Sequence, residues 1–129
     1  VYDDYAHHPG ELKALLDMAA TLGYDKIVCA FQPHTYTRTK ALFPEFARVL
    51  SQPDVTLLAE IYAAREKNEV GITSADLAAA IPGAEAVPSF AALTDRLYEL
   101  AAPGVLILTV GAGDIYTVGE ALVRRGGTA

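Results

Sequence analysis

Two adjacent histidines, one arginine among hydroxyls, a pair of aspartates and a short glycine turn are the residues of this chain best suited to chemistry. They lie in the segments Asp3-Asp4-Tyr5-Ala6-His7-His8-Pro9, Gln32-Pro33-His34-Thr35-Tyr36-Thr37-Arg38, Glu60-Ile61-Tyr62-Ala63-Ala64-Arg65 and Gly111-Ala112-Gly113-Asp114. Neighbouring side chains on an extended segment point opposite ways, so the spacing of His7 and His8 argues against both holding one metal ion. The residues leave two readings open: one histidine caps the helix that follows and the other is exposed, or one imidazole reaches a substrate or an anionic intermediate. Arg38 can grip a carboxylate or phosphate with two parallel hydrogen bonds, and His34, Thr35, Tyr36 and Thr37 surround it with donors. Asp3 and Asp4 could meet a ribose or a metal, or cap their own loop.

Gly111-Ala112-Gly113-Asp114 is half of a dinucleotide fingerprint. Glycine lets backbone approach a phosphate, and the following helix offers its N-terminus. The third glycine of G-x-G-x-x-G is missing, because Tyr116 stands there. A tight turn with positive φ explains the pair equally well. No P-loop and no G-x-S-x-G elbow occurs. Cys29 sits mid-strand without polar neighbours and reads as a buried structural thiol. Arg65-Glu66-Lys67-Asn68-Glu69 reads as a solvated loop.

The elements that must position these residues alternate. Ile27 to Phe31, Val55 to Ile61 and Val105 to Val110 are apolar on both faces, as in parallel sheets covered on both sides. Val1 to Tyr5 and Ala84 to Val87 are weaker strands. Leu12, Leu15, Leu16, Ala19 and Leu22 form one helical stripe, with Pro9 near its start. Leu42, Phe43, Phe46, Ala47 and Leu50 form a second. A capping box at Thr73-Ser74-Ala75-Asp76 opens a third. Phe90, Leu93, Leu97 and Leu100 form a fourth behind Ser89. Val118, Leu122 and Val123 belong to a fifth, with Gly126-Gly127 as its stop. This pattern predicts an α/β fold with a Rossmann-like, open, mostly parallel sheet and helices on both faces. All four chemical segments then fall at carboxyl ends of strands, where such sheets bind ligands.

Length and composition set the bounds. With 129 residues, 52% hydrophobic and 20% charged, one compact domain spanning 1–129 is expected. No apolar run reaches the ~20 residues that span a bilayer. No signal peptide opens the chain, and the single cysteine permits no internal disulfide; both fit a cytoplasmic protein. The net charge of −6 argues against nucleic acid as a partner.

The first two segments, with Ile61-Tyr62-Ala63-Ala64-Arg65-Glu66 and Gly111-Ala112-Gly113-Asp114-Ile115-Tyr116, resemble the Mur ligase family over the whole chain. Within it they are most similar to the enzymes that add L-alanine to UDP-N-acetylmuramate. The resemblance implies the last of three domains, with a UDP-binding and a central ATPase domain outside this chain. It implies an ADP-forming ligase of peptidoglycan synthesis that uses ATP and Mg2+, with L-alanine and UDP-N-acetylmuramate as partners through the complete enzyme. In that reaction ATP phosphorylates the lactyl carboxylate and the alanine amine attacks the acyl phosphate. The chain alone is then expected to be inactive and to bind no cofactor tightly.

The same resemblance implies roles for single residues. Asp3 matches a residue that meets the ATP ribose. Tyr5 and His7 match positions near the amino acid and the acyl phosphate. Arg38 matches an arginine that binds the alanine carboxylate, and His34 lies in the same segment. Many relatives carry a second arginine where Thr35 stands here. A ligase that attaches murein tripeptide to the same nucleotide sugar shares the first segment but lacks the Gln-Pro-His pattern of the second. A non-catalytic Rossmann-like module holding a nucleotide at Gly111-Gly113 is a further alternative.

Overall fold

In a computed structural model, residues 1–125 are described, and the expected stop at Gly126-Gly127 lies outside them. Five strands, β1 (Tyr2–Asp4), β2 (Lys26–Phe31), β3 (Val55–Leu58), β4 (Glu85–Ala86) and β5 (Val105–Val110), form one sheet in the order β1-β5-β2-β3-β4. Every named pair is parallel. The helices are α1 (Pro9–Ala20), α2 (Tyr36–Ala41), α3 (Phe43–Val49), α4 (Ser74–Ala79), α5 (Phe90–Leu100) and α6 (Tyr116–Arg125).

Alternation along the central strands sends side chains to two cores. Cys29, Phe31, Leu58, Leu106, Leu108 and Val110 meet α1, α3 and α4 on one face. Val28, Ala30, Leu57, Ala59 and Ile107 meet α5 and α6 on the other. Burial pushes the Cys29 thiol up to about 12, so it is an inert core residue. The chain leaves β1 and β2 toward the first face and β5 toward the second, which places a switch point beside β5 at the carboxyl edge.

The local signals hold where they are local. Thr73 and Asp76 form the reciprocal capping box of α4, and Ser89 Oγ accepts from Ala92 N at 3.1 Å to cap α5. Three expectations need correction. Leu22 is not part of the α1 stripe: the helix ends at Ala20, the chain turns at Gly23 (φ 80°), and Leu22 is exposed. The third strand stops at Leu58 instead of Ile61, because its neighbour continues into Pro33, which has no N–H to give the ladder. Pairing resumes one step later as a parallel bridge between His34 and Tyr62. The segment around Arg38, read as a loop, is the first turn of α2. Its six residues are too few to show a helical stripe.

Candidate functional site at the carboxyl edge of the sheet

On the β1 side, alternation separates the two aspartates. Asp3 lies opposite Thr109 in register and accepts from its hydroxyl at 2.7 Å, leaving its second oxygen without a hydrogen bond among the described residues. Beside it, a groove of about 490 Å3 is lined by Val1, Tyr116, Gly119 and Arg124 among others. Asp4 Oδ1 instead accepts from Ala6 N at 2.9 Å, an Asx turn that bends the chain toward α1.

His8 then acts as the N-cap: its Nδ1 accepts from Gly10 N at 3.1 Å, and Glu11 accepts in return from the backbone N–H of His8 at 3.2 Å. Of the two readings for this pair, His8 therefore takes the cap and His7 is left for other work. His7 Nδ1 lies 3.2 Å from the Tyr5 carbonyl and 3.5 Å from Glu11. A proton on Nδ1 satisfies both, and leaves Nε2 as the lone-pair nitrogen. Tyr5 stands 69% exposed, edge-on to His7 at 5.6 Å.

The second segment comes to meet this one. The His34 ring lies 5.8 Å from His7 and stacks on Tyr62 at 5.4 Å and 21°. The His34–Tyr62 bridge is closed by Thr35 N to Tyr62 O and Tyr62 N to Pro33 O, both 2.8 Å. Burial first, then the Arg38 charge and the neighbouring His7, hold the His34 imidazolium below the ordinary range; Glu66 opposes the shift. His34 is thus kept neutral beside a positive field.

Arg38 rises from the first turn of α2. Thr35 caps that turn with its hydroxyl, 3.3 Å from Arg38 N, in a backbone conformation of φ 64° and ψ 146°. Such a conformation in a residue with a branched Cβ costs on the order of 1–3 kcal/mol and persists only where its surroundings impose it. Among the described residues the Arg38 guanidinium makes no ion pair. A cation left open at a strand edge is ready to take an anion from outside the chain.

Gly111 and Gly113 do different things. Gly111 has φ 151°, and a Cβ there would sit 3.0 Å from the Gln32 carbonyl. Gly113 makes room: a Cβ would sit 2.9 Å from the Tyr62 ring and 2.5 Å from Gln32 Oε1. The close approach that glycine permits at Gly113 is therefore filled by the chain's own Tyr62 and Gln32. This counts against a phosphate-cradling module at that position. Asp114 is exposed, and its carbonyl accepts from Thr117 at the start of α6.

Three participants were not singled out by the sequence reading. Tyr62 roofs the junction of two loops. Glu66, read as part of a solvated loop, accepts from the N–H groups of Tyr36 (2.8 Å) and Thr37 (3.2 Å) and from the Thr37 hydroxyl. The Thr37 hydroxyl and backbone bonds hold the Glu66 carboxyl below the usual carboxylate range. Gln32 is 4% exposed, donates to the Glu60 carbonyl and leaves Oε1 without a partner among the described residues. Only the cluster of unmatched N–H groups at Tyr36 and Thr37 could have hinted at Glu66, and nothing in the sequence says which carboxylate answers them.

Comparison with known proteins gives these features a family. The family described as Mur ligase, glutamate ligase domain, matches residues 1–113. The UDP-N-acetylmuramate–L-alanine ligase of Lachnospira eligens is 49% identical over 128 residues, covering 96% of this chain and 28% of that protein. The enzyme of the same name from Agathobacter rectalis is 45% identical over 129 residues, with 97% and 28% covered. The chain thus spans a little over a quarter of the length of these relatives. The crystal structure of the UDP-N-acetylmuramate-alanine ligase of Thermotoga maritima superposes with a TM-score of 0.67 at 27% identity, over 95% of this chain and 25% of that one. Sequence and overall fold agree: the chain belongs to the Mur ligase, glutamate ligase domain family.

Proposed function

We propose that this chain is the amino-acid-handling domain of an ADP-forming ligase that joins L-alanine to UDP-N-acetylmuramate in peptidoglycan synthesis. Residues 1–129 then form its last domain, with the UDP-binding and ATPase domains elsewhere in the polypeptide. The observation that carries the reading is the Arg38 guanidinium, which makes no ion pair among the described residues and lies within electrostatic reach of His34 at the carboxyl edge. The names of the relatives at 45–49% identity support alanine as the amino acid.

The chemistry asks three things of such a domain. It must grip the alanine carboxylate, aim the amine at an acyl phosphate, and keep water from that hydrolysable group. Arg38 takes the carboxylate with its planar fork, and Thr35 stands where many relatives have a second arginine. His7, steered by the Tyr5 carbonyl, presents the Nε2 lone pair to the reacting amine as a proton acceptor. The amine gains the acyl carbon, phosphate leaves, and the amine's extra proton passes to a base. Tyr5 and neutral His34 with Tyr62 wall the amino-acid side of the site. Asp3, with one oxygen open to a groove of small-ligand size, meets the ATP ribose. Among the described residues no three His, Cys, Asp or Glu side chains gather as a cation site.

The test is steady-state kinetics of the full-length ligase carrying Arg38→Ala, with each substrate varied in turn. Removing one partner of a buried charge pair costs about 2–5 kcal/mol. The expected fall in kcat/KM for alanine is roughly 30- to 5,000-fold at about 1.4 kcal/mol per decade. UDP-N-acetylmuramate binding should change little, and Arg38→Lys should recover only part of the loss. Asp3→Ala in the same enzyme should raise the KM for ATP and leave that for alanine. A change under about threefold for alanine in Arg38→Ala would remove Arg38 from the site.

A further inference from the structure

Arg38 belongs to a helix of six residues, too short to fix itself. What holds its first turn comes from 29 and 30 positions away, on the segment after β3. Glu66 Oε1 accepts from Tyr36 N and Thr37 N, and Oε2 from the Thr37 hydroxyl. The carboxylate thereby meets donors that the start of any helix leaves open. It reaches them by a strained route: Ala64 and Arg65 both have positive φ, 49° and 72°. The bridge of Thr35 N to Tyr62 O fixes the same segment four residues earlier. A carboxylate seated on the helix N-terminus also repels any second anion there. An incoming carboxylate is left with the guanidinium alone.

We infer that Glu66 is a positioning residue for the amino-acid site: its carboxylate fixes the first turn of α2, and through that turn the aim of the Arg38 guanidinium toward the substrate carboxylate. Glu66 touches no substrate. The inference rests on the proposed role of Arg38 and adds to it a residue on a different loop. It also gives the Glu60–Glu66 segment a task, since the strain stored at Ala64 and Arg65 puts Glu66 where Tyr36 and Thr37 need it.

The experiment uses the full-length ligase with Glu66→Gln, Glu66→Asp, Arg38→Ala and the double variant Arg38→Ala/Glu66→Gln. Glutamine keeps the shape but turns one acceptor into a donor facing donors. The expected result for Glu66→Gln is a rise of roughly tenfold in the KM for alanine, of the size misplacement of a substrate clamp produces, with the KM values for ATP and UDP-N-acetylmuramate within about twofold. Glu66→Asp, which keeps the charge and loses one methylene, should recover part of the alanine affinity. In the Arg38→Ala background Glu66→Gln should change nothing further, because a residue that acts through Arg38 has nothing left to aim. Thermal unfolding separates positioning from folding. An equal rise in all three KM values with a lowered melting temperature makes Glu66 a merely structural residue and overturns the inference. Additive losses in the double variant overturn it too. If Arg38→Ala alone leaves alanine untouched, the reading of Arg38 falls and Glu66 falls with it. If Arg38→Ala is impaired while Glu66→Gln is not, only the inference on Glu66 fails.

Discussion

The loop after β1 and the loop after β2 face each other across the site, yet they are held in opposite ways. Beyond the end of β1, from Tyr5 to Glu11, the hydrogen bonds that shape the first loop join residues two to four apart. From Thr35 to Arg38, the shaping bonds come largely from Tyr62 and Glu66, with Glu66 29 or 30 positions away from the residues it bonds. The first loop can adopt its form as soon as α1 nucleates. The second exists only once β3 lies beside β2 and the chain has returned over it. A site assembled this way sets one rigid, locally determined wall against one whose geometry depends on the completed sheet.

The largest effect on folding is expected where the long-range wall is most crowded. A Cβ at Gly113 would press on the base of the Tyr62 ring and on buried Gln32 Oε1 at once. The ring cannot swing away without breaking its stack on His34. Overpacking of this kind costs about 1–3 kcal/mol. Denaturant unfolding of the chain with Gly113→Ala should show that loss. A variant as stable as the parent would mean that the loops yield freely and that the second wall is not rigid.

A smaller loss is expected from the local wall. His8→Ala removes the side-chain half of the α1 capping box, worth about 1 kcal/mol for ordinary caps. The bonds from Glu66 to Tyr36 and Thr37 should survive, since nothing in them depends on His8. Amide exchange can read both loops in one sample. Protection should fall at Gly10 and Glu11 while that of Tyr36 and Thr37 stays. Equal loss in both loops would abolish the distinction drawn here.

The same distinction explains what could be read from the sequence. Strands β2 and β5 and the helices α1, α4 and α5 were legible because their signals are contiguous: apolar runs, a Pro at the first turn, Thr73 with Asp76, Ser89 as a cap. The sheet's carboxyl edge was legible as a place, because alternating strand and helix fixes where the loops emerge. Helix α2 was not, since six residues carry no period and the donors its Thr35 cap leaves open are met by the distant Glu66. Tyr62 and Glu66 lay in segments the sequence pointed to but carried no role of their own, for the same reason: each is an ordinary surface type whose partner is chosen by the fold. Gly113 looked like a phosphate turn, because a glycine kept for space and one kept for a ligand have the same letter. The family resemblance supplied the roles of Asp3, Tyr5, His7 and Arg38, which spacing alone left open.

The smallest expected effect is a pH dependence that belongs to the long-range wall. His34 is neutral in the fold, and its pKa lies below the ordinary value of 6.5 through burial, the Arg38 charge and the neighbouring His7. The unfolded chain therefore binds a proton more readily than the folded one. Stability from this source is full above about pH 6.5 and is lost as pH falls from there toward the folded value. Glu66 softens the effect by favouring the imidazolium. Its own carboxyl is held below the usual range, so it stays ionised through this window and loses its contribution only in stronger acid. His34 remains partly open to solvent, which screens the term and should keep it below the ~1 kcal/mol of the His8 cap. Denaturant midpoints at pH 7.5 and 5.5 for the chain and for His34→Gln provide the measurement. The parent should lose more stability on acidification than the variant, which has no proton to take up at that position. An identical loss in both would place the titration elsewhere, and a parent that gains stability in acid would mean that His34 is charged in the fold, paired with Glu66 against the repulsion of Arg38.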